Sequence, residues 1–143
     1  MATRSGSCLC GGIQVSIQGA PIRTNLCHCT SCQKFGGGAF ASLAVFKSSE
    51  ITFSESEPSL KKTFNDTSPE SGRLVKRLFC GRCGSSLGGI REGAEDETVV
   101  PIGILEGDRS DLKPQFEFFH KSKIEWIDPV AGSQCFDALP QGS

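Results

Sequence analysis

Seven of the chain's eight cysteines fall in three tight groups, and that spacing limits the available folds more than any other feature. Cys8 and Cys10 form C-x-C. Cys27, Cys29 and Cys32 form C-x-C-x-x-C. Cys80 and Cys83 form C-x-x-C directly before Gly84, and Cys135 stands apart. Disulfide frameworks usually spread their cysteines, because a bridge that closes a longer loop removes more entropy from the unfolded chain. Short local pairs suit a metal ion, which two neighbouring thiols reach together. A chain of this composition also needs such help. Only 37% of its 143 residues are hydrophobic and 17 are glycine, while apolar burial has to outweigh chain entropy.

A structural zinc takes four ligands, commonly thiolates delivered as two short pairs. Cys8, Cys10, Cys80 and Cys83 supply that set, and Gly81 and Gly84 let the backbone turn sharply around the second pair. One ion bound there joins two distant parts of the chain, so metal binding contributes directly to folding. The middle group has three cysteines. Cys27, Cys29 and Cys32 leave a fourth position open, which is the pattern of a catalytic zinc. The alternatives are that these three join the structural group or hold no metal. His28 lies between two of them and points the other way if the segment is extended; it is a candidate acid–base group. Cys135 reads as a thiol in a C-terminal tail, with a fourth-ligand role as the alternative.

The remaining pattern is mainly β. Ile13, Val15 and Ile17 alternate with Gln14, Ser16 and Gln18, as in a half-buried strand. Residues 39–46 form an apolar run broken by Ser42, and further strands are expected at 51–53, 60–64, 74–79, 98–105, 116–119 and 124–127. Glycine, proline, serine and aspartate punctuate them as in an antiparallel meander or folded sheet. A short helical turn is expected after the middle cysteines, capped by Thr30 or Ser31 and ending before Gly36-Gly37-Gly38. It places Cys32 near a helix start, where backbone amides favour thiolate. The span 1–143 reads as one domain, with its core over about 5–128 and a tail at 129–143.

The formal net charge is −1 and no basic run occurs, so neither nucleic acid nor a membrane surface is an expected partner. No apolar stretch approaches the roughly 20 residues that cross a bilayer. The first residues lack an apolar leader, and a reducing cytoplasm is the expected compartment.

Three motifs together make the chain resemble a known family. They are Ser7-Cys8-Leu9-Cys10-Gly11-Gly12-Ile13; Cys27-His28-Cys29-Thr30-Ser31-Cys32 with 36–40 following; and Phe79-Cys80-Gly81-Arg82-Cys83-Gly84-Ser85. The chain resembles the glutathione-dependent formaldehyde-activating enzymes, a family that includes centromere protein V. Weaker echoes are Gly103-Ile104-Leu105 and 123–127 with Trp126, so the likeness covers about 5–128. It implies a β-tent of folded antiparallel sheets stapled by zinc. It also implies two zinc ions per chain, a structural one on Cys8, Cys10, Cys80 and Cys83 and a catalytic one on Cys27, Cys29 and Cys32. The implied activity joins glutathione to formaldehyde as S-(hydroxymethyl)glutathione, the reverse direction being a carbon–sulfur lyase reaction. No basic N-terminal extension like that of the centromeric members is present, which points away from a chromatin role.

The ligand set fits such chemistry. Three thiolates on Zn²⁺ leave the site with a formal charge of −1. That makes a weak Lewis acid but a good holder of a further thiol as thiolate. Attack of a thiol on a small electrophile is therefore favoured over hydrolysis. Glutathione, the expected co-substrate, carries two carboxylates that need cations or amides. Lys34 and the amides of Gly36, Gly37 and Gly38 are the candidates beside the cluster. Phe35 and Phe40 read as core, and His120 as a surface or core histidine. The alternatives in function are a lyase, dehydratase or isomerase using the same zinc on another small metabolite, and a zinc-stapled binding module without catalysis. Seven thiolates and two Zn²⁺ would move the net charge from −1 to −4. That leaves the question of how a negative site admits an anionic thiol.

Overall fold

In the computed structural model, which describes residues 3–140, the alternation read in the sequence becomes the inner face of a small sheet. β1 (Thr3–Ser7) and β2 (Ile13–Gln18) pair antiparallel, and Ile13, Val15 and Ile17 of β2 are buried while Gln14, Ser16 and Gln18 face solvent. The elements that follow are β3 (Arg23–Cys27), α1 (Thr30–Gly36), β4 (Ala41–Lys47), β5 (Ile51–Glu55) and β6 (Lys61–Asp66). After these come β7 (Val75–Cys80), β8 (Ser86–Arg91), β9 (Glu97–Pro101), β10 (Phe116–Phe118) and β11 (Gln134–Cys135). The three-stranded sheet has the order β1-β2-β5, and the eight-stranded sheet has the order β11-β10-β3-β4-β9-β8-β7-β6. Residues 1, 2 and 141–143 of the span read as one domain lie outside the described residues.

The fold is mainly β, as expected, and most pairings are antiparallel. β10 departs from this by running parallel to both β3 and β11. The small sheet packs Val15 and Ile17 against Ala44, Phe46 and Val100 of the large sheet, with Leu105 and Leu112 closing the layer. Gly6 bridges Leu105, and a Cβ on Gly6 would collide with the Ile104 carbonyl, so β1 approaches the turn after β9 this closely because the residue is glycine. No helix among the described residues is long and apolar enough to cross a membrane.

Several elements differ from the sequence expectation. Residues 124–127 form a turn closed by the Ile127 amide on the Ile124 carbonyl, just ahead of Asp128-Pro129. The strand expected at 98–105 ends at Pro101 and gives way to a single 3₁₀ turn. The cap of α1 is Cys29, whose sulfur accepts from the Cys32 amide, rather than Thr30 or Ser31. Gly37 ends this helix in the left-handed region at φ 67°. β3 and β8 lack an apolar pattern. In β8, Gly88 has φ 104° and a Cβ there would meet the Val99 carbonyl, so glycine is what lets β8 close on β9.

The segment read as a tail is docked on the sheet. β11 pairs with β10, and the Phe136 ring lies 5.9 Å from that of Phe118. The Val130 amide and Ser133 hydroxyl each donate to Glu117 Oε2 at 2.7 Å, while His28 Nε2 lies 2.8 Å from Glu117 Oε1. Glu117 and His28 are both fully buried. Burial alone would raise the Glu117 pKa, but the bonds from Ser133, His28 and Val130 outweigh it and hold the carboxyl below its ordinary value. One buried carboxylate thus ties residues 130–133 to the segment between Cys27 and Cys29.

Candidate functional site

The first and last cysteine pairs come from different sheets and meet. Cys8 and Cys10 leave β1 in the turn toward β2, and Cys80 and Cys83 sit where β7 turns into β8. Their four sulfurs lie within 4.8 Å of one another, with Cys8 to Cys10 at 3.5 Å and Cys10 to Cys80 at 3.8 Å. A tetrahedron of thiolates at Zn–S distances of about 2.3 Å has edges of about 3.8 Å, so the spacing fits a zinc. Backbone amides already face the sulfurs, from Ile13 to Cys8, from Gly12 to Cys10, and from Arg82 and Cys83 to Cys80. The Gly12 amide and the Arg82 guanidinium lower the Cys10 pKa, and the Ser85 hydroxyl brings Cys83 down to about 5. Cys8 is buried, and that burial pushes its pKa up. These residues are able to hold a metal that joins the two sheets.

Cys27 ends β3, Cys29 caps α1 and Cys32 lies in its first turn, so one strand-to-helix corner brings the three together. All three are buried, and Cys27 and Cys29 are 3.4 Å apart. Three sulfurs this close cannot all ionise unaided. Bonds from Cys27, Cys32 and Ser31 take Cys29 down to about 2. Bonds with Cys29 and Cys32, together with burial, drive Cys27 upward. Cys32 rises to about 11, because its bond with Cys27 is outweighed by that with Cys29 and by burial. Full ionisation of the group needs a cation, and the donor set suits zinc with one position left over.

Arg77 supplies part of that positive charge, and the sequence reading passed over it. Its Nη1 is 3.8 Å from Cys32 Sγ, its Nη2 donates to Ser31 Oγ at 3.1 Å, and its Nε donates to Asp66 at 3.0 Å. Its guanidinium also lies 5.4 Å from the centre of the Phe35 ring. Burial would lower its pKa, but the charges of Cys32 and Asp66 raise it further, so it stays cationic beside the sulfurs. Groups that orient and neutralise metal ligands typically change metal affinity about 10- to 100-fold when removed. Arg77→Met is therefore expected to weaken metal binding at the three-cysteine group by about that factor and to leave the four-cysteine group unchanged. Competition with a chromophoric chelator measures both.

A cavity of about 1030 Å³ opens onto the three cysteines. Its floor is the face of the large sheet that turns away from the small one, where Asn25, Leu43 and Val99 lie on the same side as Cys27. Phe35 and Phe40, expected in the core, line its wall and are only half-buried. Gly36 also lines it, whereas Lys34, Gly37 and Gly38 are exposed and off its wall. His28 faces Glu117 and likewise takes no part in the lining. Cys135 and His120 gather with Glu117 rather than with Cys27, Cys29 and Cys32.

The sequence model described as glutathione-dependent formaldehyde-activating enzyme matches residues 3–122, a span that includes both cysteine groups. A protein of Schizosaccharomyces pombe described as an uncharacterized lyase is 21% identical, over 93% of this chain and 98% of its own. The crystal structure of a Rhodobacter sphaeroides protein superposes with a TM-score of 0.57 at 21% identity, covering 75% of this chain and 92% of that one. At that identity the likeness speaks for the fold.

Proposed function

The chain belongs to the glutathione-dependent formaldehyde-activating enzyme family, and from that premise we propose that it is a carbon–sulfur lyase or synthase acting on a glutathione adduct of formaldehyde or a related small electrophile. The observation that carries this reading is the buried group of Cys27, Cys29 and Cys32 at one end of a large cavity, with the Arg77 guanidinium against it. Zinc bound there would hold the incoming thiol as thiolate in the position the protein leaves open. The second zinc, on Cys8, Cys10, Cys80 and Cys83, would be structural.

Arg77 answers the charge question raised by three thiolates. Its cation lies beside Cys32 and offsets the formal −1 of the loaded site, so an anionic thiol is repelled less. Phe35, Phe40 and Phe118 line the cavity with apolar surface and keep bulk water from a reacting carbonyl. In the forward direction the thiolate sulfur attacks the carbonyl carbon and a C–S bond forms. The carbonyl π pair moves to oxygen, which takes up the proton that the thiol gave up. The reverse step breaks the same C–S bond and returns aldehyde and thiol. Holding both reactants in one cavity contributes by proximity. His28 is turned away from the cavity toward Glu117, so its part is to position the segment between Cys27 and Cys29.

Exchange NMR of ¹³C-formaldehyde with glutathione tests the reaction. The zinc-loaded protein is expected to raise the interconversion rate at least about tenfold over the spontaneous one, within the contribution proximity can make. A rate equal to the spontaneous one would assign the same centre to a different small carbonyl substrate.

A further inference from the structure

The cavity contains more positive charge than its metal centre explains. Arg23, Arg73, Arg77 and Arg91 all line it, against two acids on its wall, Asp96 and Glu97. Arg77 is committed to Asp66 and to the cysteines. Arg23 is committed to Glu97 through two bonds of 3.3 and 3.0 Å. Among the described residues, no carboxylate pairs with Arg91 or Arg73.

Strand register places Arg23 and Arg91 away from the sulfurs. Residues 23, 25 and 27 of β3 share the cavity face, so Arg23 lies about 13 Å along the strand from Cys27. Arg23 is opposite Val45, Val45 opposite Val99 and Val99 opposite Gly89, so Arg91, two residues past Gly89, lies beyond the row of Arg23 on the side away from Cys27. A three-residue chain spans at most about 11 Å, comparable with the separation of the two ends. Arg91 is half-buried, and burial together with the charges of Arg23 and Arg73 depresses its pKa. Unpaired guanidiniums crowded on a cavity wall favour a bound anion, and a guanidinium matches a carboxylate in two parallel hydrogen bonds.

We propose that Arg91, with Arg23 and Arg73 beside it, forms a carboxylate subsite at the end of the cavity remote from Cys27, Cys29 and Cys32. It selects a thiol whose carboxylate lies a short peptide's length from its sulfur. The inference rests on the thiol-handling reading above and adds to it the group that recognises the rest of the substrate. Lys34 and the glycine amides, the candidates from sequence, are replaced in this role by residues of β3, β8 and the loop before β7.

S-Methylglutathione tests the subsite apart from catalysis, because it keeps both carboxylates but has no free thiol. Calorimetric titration of the zinc-loaded protein is expected to show the diacid binding at least about tenfold more tightly than its diester. Arg91→Ala should weaken the diacid about 10- to 100-fold and shift the diester less than about twofold. Arg91→Lys should keep part of the preference, and it decides the matter if the alanine variant fails to retain two metals per chain. Equal binding of diacid and diester by the wild type overturns the subsite. So does undetectable diacid binding, or an equal loss for both ligands in Arg91→Ala. Failure of the lyase reading is a separate result: preference for the diacid persists while the wild type turns over no thiol adduct.

Discussion

Replacing Cys80 with serine is expected to leave a chain that no longer unfolds as one cooperative unit and that binds at most one metal. Cys80 is fully buried at the meeting point of the two sheets, and it packs with Cys8, Ile13, Leu60, Leu78 and Leu87. A serine hydroxyl stays protonated near neutral pH and is a poor match for a metal that favours soft thiolates. Structural zinc sites of this kind contribute about 10–16 kcal/mol in peptides, whereas net domain stability is about 5–15 kcal/mol. Loss of the ion is thus comparable with the whole stability of the fold. The amides of Arg82 and Cys83 would also lose the sulfur they now approach. Thermal melts followed by circular dichroism, with metal content measured alongside, check the outcome. A sharp melt at the wild-type temperature with one metal missing would remove the stapling role from this group.

The second large effect is chemical. Cys29→Ser is expected to keep the fold and the four-cysteine metal, to lose the other metal, and to reduce turnover by about a thousandfold or more. The three-cysteine group is held in place by features that do not depend on an ion: the pairing of β3 with β4 and β10, the Phe118 and Phe119 packing, and the buried Glu117 with its partners. A bound metal typically supplies several kcal/mol of transition-state stabilisation, and each factor of ten in rate corresponds to about 1.4 kcal/mol. Elemental analysis and the NMR exchange rate read the two losses together. If Cys29→Ser unfolds as Cys80→Ser does, the two groups share one structural task and the division between them fails.

The grouping of the cysteines into four and three was legible in the sequence, because metal chemistry imposes short ligand spacings whatever the fold. The pairing of Cys8 and Cys10 with Cys80 and Cys83 follows from the need for four ligands. The alternation of Ile13, Val15 and Ile17 survives as β2 because one side of that strand faces core and the other water. β3 and β8 left weaker marks. Arg23 and Asn25 face the cavity on β3, and Gly88 and Gly89 give β8 its close approach, so neither strand shows the apolar alternation of a half-buried edge. Arg77 was hidden for a related reason. A buried arginine looks like a surface one until register places it opposite Gly89 and against Cys32. The docking of residues 129–140 rests on Val130, Ser133, Phe136 and Leu139, which recur every third residue and so show neither the alternation of a strand nor the paired three-and-four spacing of a helix face.

Ligand order along the chain also sets an order of assembly. On the ribosome Cys27, Cys29 and Cys32 emerge almost together and can capture a metal as soon as they clear the exit. Cys10 waits through 70 further residues for Cys80. Leu139 and Pro140, which complete part of the cavity wall, are made later still. A nascent chain therefore exposes its reactive cysteines before the staple between the sheets exists. During translation the protein would pass through a stage in which these three thiols are open to oxidants and to foreign metals, and a metal captured early would protect them.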